Sequence, residues 1–171
     1  TWAGSTNVKV DFIDPFSPFR PDALIGITPV QPGGNGFYRD SALLQSVTQT
    51  AKTKGTLIWH ASVQNDGLQS DDLILTGAPG NRFFRVTYLR KEGAAFINET
   101  AALLTGLVDN NVPSDSETDY QISITPNRPV LGKRTGITAH LRVASNGDAT
   151  KVDRVNAVLV NKTKKAKKPR R

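Results

Sequence analysis

The chain has 171 residues, of which 37% are hydrophobic and 22% charged, with no cysteine and a formal charge of +7. That length suits one domain burying roughly 70% of the surface its unfolded chain would expose, and the apolar content excludes a disordered chain, while the lack of cysteine excludes disulfides and thiolate metal centres. All the excess charge lies in Lys162, Lys164, Lys165, Lys167, Lys168, Arg170 and Arg171, leaving Thr1 to Asn161 formally neutral, a distribution that argues against a specific nucleic-acid-binding surface on the body.

Thr1 opens the sequence without a methionine, which fits a mature form cut from a signal peptide and equally an excised fragment or an incompletely read sequence, so an extracellular or cell-surface location is permitted. In residues 1–19 a single alternating run, Val8, Val10 and Phe12, is followed by Ile13 and the proline-interrupted piece DPFSPF, which carries Phe16. An apolar face of this kind is costly to leave in water and needs a sheet to join. These five residues are therefore the candidate subunit interface: a donor strand that leaves its own domain and satisfies the open sheet edge of a neighbouring copy. Donor and acceptor surfaces differ, so such a contact repeats without closing and gives a filament. Folding back as an edge strand of its own sandwich is the other arrangement open to the extension.

Further along, PGGNG (Pro32 to Gly36) reads as a turn, since no helix follows to make it a phosphate loop. Leu57, Trp59, Ala61 and Val63 alternate with Thr56, Ile58, His60 and Ser62, the period of a strand with one buried face. Next, Asn65, Asp66, Asp71 and Asp72 surround Gly67. A calcium loop of the EF-hand type needs ligands at alternate positions ahead of its glycine and a closing glutamate. Here two acids follow the glycine and no glutamate closes the loop, so no metal site is expected, and Asp66-Gly67 reads as a left-handed turn between a strand ending at Gln64 and one at Leu73 to Thr76.

Alternation returns at Phe83 to Leu89, Asp119 to Thr125, Ile137 to Val143 and Val152 to Val160, punctuated by GAPGN (Gly77 to Asn81) and NGD (Asn146 to Asp148). Only Glu99 to Leu107 has helical propensity, enough for one short helix. Leu107 to Thr118 reads as an acidic loop. Asn98-Glu99-Thr100 and Asn161-Lys162-Thr163 match the glycosylation acceptor pattern. The expected fold is all-β, an antiparallel sandwich whose core contains Trp59, Ala61, Val63, Val86, Ile122, Ile124, Leu141 and Val143.

RPDALIG (Arg20 to Gly26), QSVTQTAKTKGTLIWHASVQNDG (Gln45 to Gly67), DDLILTGAPGNRFFRVTYL (Asp71 to Leu89), ISITP (Ile122 to Pro126) and Asp153-Arg154-Val155 occur in one order. In that order they resemble an immunoglobulin-like repeat of large secreted bacterial surface proteins, which opens with RPD, turns at V-Q-N-D-G, and closes with a V-T-P strand and a D-x-V strand. The resemblance covers Arg20 to Asn161 and departs at Leu107 to Thr118, where the family has a short proline-glycine turn. It implies an immunoglobulin-like sandwich used for structure and spacing outside the cell, with no chemistry to transfer. The domains expected are residues 1–19 as the extension, 20–161 as the sandwich and 162–171 as a polybasic tail.

Catalytic signatures are lacking: there is no G-x-S-x-G elbow, H-E-x-x-H pair or G-x-x-x-x-G-K loop. His60 and His140 fall on the outward phase of their strands and read as solvated. No enzyme activity, catalytic residue, metal or cofactor is expected. The expected function is a structural subunit of an extracellular assembly whose partners are copies of itself. The alternative is an adhesion or binding module for an anionic polymer or a glycan. The seven basic residues from Lys162 to Arg171 repel one another and would act as an electrostatic tether to an anionic partner such as a cell-surface polymer. No apolar run reaches the length of a transmembrane helix.

Overall fold

The computed structural model describes residues 16–29, 35–36, 38–41, 45–51, 55–127 and 136–161. Its elements in chain order are β1 (Pro21–Gly26), β2 (Ser46–Ala51), β3 (Leu57–Asn65), β4 (Asp71–Gly77), β5 (Phe84–Glu92), β6 (Ala95–Asn98), α1 (Thr100–Thr105), β7 (Leu107–Val112), β8 (Ser116–Pro126), β9 (Gly136–Ser145) and β10 (Val152–Asn161). They form two five-stranded sheets, ordered β1-β3-β8-β5-β6 and β2-β10-β9-β4-β7. The chain crosses between them repeatedly, as in an immunoglobulin-like sandwich. One departure from the all-antiparallel expectation is the parallel pair β2 and β10. A parallel pair needs a long crossover, and here the whole of the intervening chain supplies it.

Alternation does what the sequence requires of it. Trp59, Ala61, Val63, Val86, Ile122, Ile124, Leu141 and Val143 are all buried between the sheets. Two aromatic side chains also bond across the gap with their polar ends, as buried Trp and Tyr generally must. The Trp59 indole on β3 donates to the Val47 carbonyl on β2 (2.8 Å). From β5 the Tyr88 hydroxyl reaches the other sheet, donating to the His140 carbonyl and accepting from the Ala78 N–H, both at 2.8 Å. Gly77 makes room for this: a Cβ there would lie 2.7 Å from the Tyr88 ring.

Three expectations are corrected. The segment Leu107 to Thr118 is not a loop but β7, a tight turn and the start of β8, with Asn111 and Asp115 at positive φ (50° and 58°), residue types that tolerate the left-handed region. Its polar sequence hides the strand because β7 buries only Val112. Second, β6 was not anticipated, since it is exposed along its whole length and shows no buried phase to read. Third, Gly67 is not among the left-handed glycines. It is required by close approach: a Cβ would sit 2.3 Å from the Pro18 carbonyl oxygen. Asp66, Leu68 and Gln69 donate backbone N–H groups to the carbonyls of Arg20, Ser17 and Pro18 at 2.9, 3.3 and 3.1 Å, fastening that stretch to the loop.

Candidate functional site

The two sides of the first sheet end very differently. At the β1 side, the bond from Asp66 N–H to the Arg20 carbonyl fixes the phase of pairing with β3, so the backbone of Ala23 faces away from β3. Both of its groups are taken. Ala23 N–H donates to Asp153 Oδ2 (2.8 Å), and its carbonyl accepts from Gln45 Nε2 (3.2 Å). Gln45 Nε2 also donates to Asp153 Oδ2 (2.9 Å), while Arg39 N–H donates to Asp153 Oδ1 (2.9 Å). Asp22, beside them, accepts one N–H bond, from Gly36 (2.9 Å), and its Oδ1 is buried with no partner.

Asp22 and Asp153 are both 0% exposed. Burial pushes the Asp22 carboxyl up to about 8, with the Asp153 charge adding to it and the Gly36 bond opposing. Burial raises Asp153 as well, but three N–H donors and the Gln45 amide stabilise its charge. The donors around Asp153 favour the charge there, and Asp22, with its single N–H bond, is the member of the pair that more readily holds a proton. Next to the pair the Tyr38 hydroxyl donates to Asp66 Oδ2 (2.7 Å), and the Arg20 guanidinium lies 4.9 Å above the Tyr38 ring. With no exposed surface the pair has no route to a substrate, so its chemistry is that of a latch. It joins the start of the sandwich to its last strand and closes the β1 edge.

At the β6 side nothing comparable among the described residues covers the strand. The bond from Glu99 N–H to the Tyr88 carbonyl sets the phase there, so Ala95 and Ile97 bond to β5 while Phe96 and Asn98 present their backbone groups outward. Among the described residues β6 pairs with β5 alone. Phe96 and Ile97 add exposed apolar surface. Behind the strand Arg90 reaches Glu99 (3.6 Å) and Asp109 on β7 (3.9 Å), and Leu103 of α1 is fully buried, so the core itself is sealed.

Val8, Val10, Phe12 and Ile13 lie outside the described residues, as do the tether residues Lys162, Lys164, Lys165, Lys167, Lys168, Arg170 and Arg171. Phe16 is described and is 77% exposed. The three acids of the central loop do not converge. Asp66 accepts from Tyr38, Asp71 Oδ1 from Gly147 N–H (3.1 Å), and Asp72 Oδ1 from Asn111 N–H (2.7 Å). Among the described residues no three His, Asp or Glu side chains are grouped to hold a metal. Both histidines are half-buried rather than solvated. The pKa of His140 is lowered by burial first and by Arg154 next, because Arg154 and Arg142 gather around Asp40 on that face (4.0 and 3.2 Å).

Sequence reasoning did not single out the Asp22 and Asp153 pair, yet half of the signal is there. Asp153 stands in the buried phase of β10, in step with Val155, Ala157 and Leu159, and a carboxylate in that phase demands a partner. The partner could not be read off, being 131 positions away in RPD.

No protein family and no curated protein matches the chain. Among solved structures, a family 123 glycoside hydrolase from Clostridium perfringens superposes with a TM-score of 0.48 at 11% identity, over 84% of this chain. The chain spans 27% of that hydrolase's length. The CooA pilin subunit of enterotoxigenic Escherichia coli gives 0.40 at 12% identity, over 84% of this chain and 99% of the pilin. AggA, the major subunit of aggregative adherence fimbriae type I of Escherichia coli, gives 0.43 at 11%, over 86% and 99%. At these identities and scores the likeness extends no further than the layered strands.

Proposed function

We infer that the chain is a non-enzymatic structural module of an extracellular assembly, in which residues 1–15 of one copy add a strand to β6 of the next. The observation that carries this reading is the contrast between the two ends of the first sheet. Ala23 on β1 is closed by Asp153 and Gln45, whereas β6 is exposed throughout, with the backbone of Phe96 and Asn98 facing outward. An incoming strand satisfies those groups and lays alternate side chains beside Phe96 and Ile97. The alternating Val8, Val10 and Phe12 supply such side chains. The resemblance to secreted bacterial repeats supports a spacing role for the sandwich, and Ser17 to Arg20, held on the Gly67 loop, give the extension a fixed point of departure.

Removing residues 1–15, which spares that anchor, should give monomers that no longer assemble, and a peptide of residues 1–15 should bind them. Phe96→Pro removes the ring together with an outward N–H, whose loss an edge strand tolerates, and should abolish peptide binding, while Phe96→Ala removes the ring alone and keeps most of it. Sedimentation and electron microscopy of the truncated chain decide the matter: assemblies identical to those of the whole chain would refute strand addition.

A further inference from the structure

The outer face of the first sheet carries a cleft of about 260 Å³ that neither the latch nor the open edge uses. Three cross-strand pairs build it. His60 on β3 stands opposite Gln121 on β8, Ser62 opposite Asp119, and Lys91 on β5 opposite Phe96 on β6. Neighbouring strands lie ~4.8 Å apart, so the cleft extends about 14 Å over the three spacings from β3 to β6. Its volume is below that of a drug-sized site.

The chemistry along this strip is mixed in a specific way. Phe96, 42% exposed, is an apolar wall at one end. His60 and Gln121 offer donors and acceptors in the middle. Lys91 Nζ donates to Asp119 Oδ2 at 2.8 Å, and both side chains are about half exposed, so the charges cancel while spare N–H groups and lone pairs remain. Ser62 lines the cleft, is 2% exposed, and its hydroxyl oxygen has no hydrogen-bond partner.

These features discriminate among ligands. An apolar molecule would leave the polar groups of the strip desolvated and unpaired. An anion would meet a lysine already neutralised by Asp119, with Glu117 acting on the same lysine. The geometry points to a neutral saccharide, one ring face resting on Phe96 and its hydroxyls bonded by Gln121, His60 and the Lys91 and Asp119 pair. The site works through side chains, whereas strand addition works through the backbone of β6, and the two adjoin only at Phe96.

The test is a titration of the whole chain followed by amide and side-chain NMR shifts, with maltose, cellobiose and diacetylchitobiose as neutral probes and a hyaluronan disaccharide as the anionic one. At least one neutral probe should move signals of β3, β8 and β6 around the cleft with a Kd of about 1 mM. Phe96→Ala and Gln121→Ala should each weaken it by about tenfold, leaving signals of the second sheet in place. Three outcomes would overturn the assignment: no localised shift with any neutral probe, shifts indifferent to both substitutions, or tighter binding of the anionic disaccharide. A chain lacking residues 1–15 should bind the sugar as the whole chain does, which separates this site from the assembly contact.

Discussion

At the scale of single residues, the proton on Asp22 makes stability depend on pH in an unusual direction. The unfolded carboxyl has the ordinary value of 3.8 and the folded one is raised to about 8. Between these values the folded chain binds a proton that the unfolded chain releases. The stabilisation is therefore complete below about pH 4, falls as pH rises, and is gone above about 8, at a slope of up to ~1.4 kcal/mol per pH unit for one proton. His140, held below its usual 6.5 by burial, acts in the opposite sense, while Asp153, raised by burial beside Asp22, acts in the same sense, so the difference between two chains reports the Asp22 and Asp153 pair. Urea midpoints measured from pH 4.5 to 9 should decline for the native chain, and Asp22→Asn should flatten that decline. Parallel profiles for both would mean that Asp22 is ionised in the fold.

Elements are joined in this molecule by polar atoms that cross the sandwich as well as by the apolar core between the sheets. Tyr88 shows it best, because β5 and the β4 end of the second sheet meet through one hydroxyl that serves Ala78 N–H and the His140 carbonyl. Tyr88→Phe keeps the ring and removes the hydroxyl, leaving Ala78 N–H and the His140 carbonyl only the long bond of 3.4 Å they make to each other, and should cost about 1 kcal/mol by chemical denaturation. A loss within ~0.5 kcal/mol would show that water serves those groups equally well. Strands with a buried face were legible here: β3, β5, β8, β9 and β10 announce themselves by alternation, and α1 by its run of helix formers. The strands that escaped are β1, β2, β6 and β7: β1 is buried at every residue and the other three bury little, so none of them shows a buried phase of period two.

For the whole molecule, charge and assembly are separate matters. The body from Thr1 to Asn161 is neutral and the seven excess charges are concentrated at Lys162 to Arg171, so a chain that ends at Asn161 should fold with unchanged stability. If the basic run tethers the chain to an anionic partner, its removal should lower retention on an anionic surface at low salt and make little difference at 1 M, where screening reaches within ~3 Å. Equal retention of both chains at low salt would remove the tether.

By itself the sequence determined that this chain is a β-sandwich, which side chains fill it and where its charge excess lies, because period-two burial and the count of ionisable groups are local properties of the chain. The resemblance also marked RPD and Asp153-Arg154-Val155 as its ends without saying that they touch. Only the tertiary structure decided that Asp22 and Asp153 share one buried site, that Gly67 yields to the Pro18 carbonyl rather than to a left-handed turn, and that Ala23 on β1 is closed by side chains while β6 pairs, among the described residues, with β5 alone. Each depends on groups brought together across the sheets by packing, and pKa, close approach and edge exposure are all set by distance in space, for which distance along the chain is no guide.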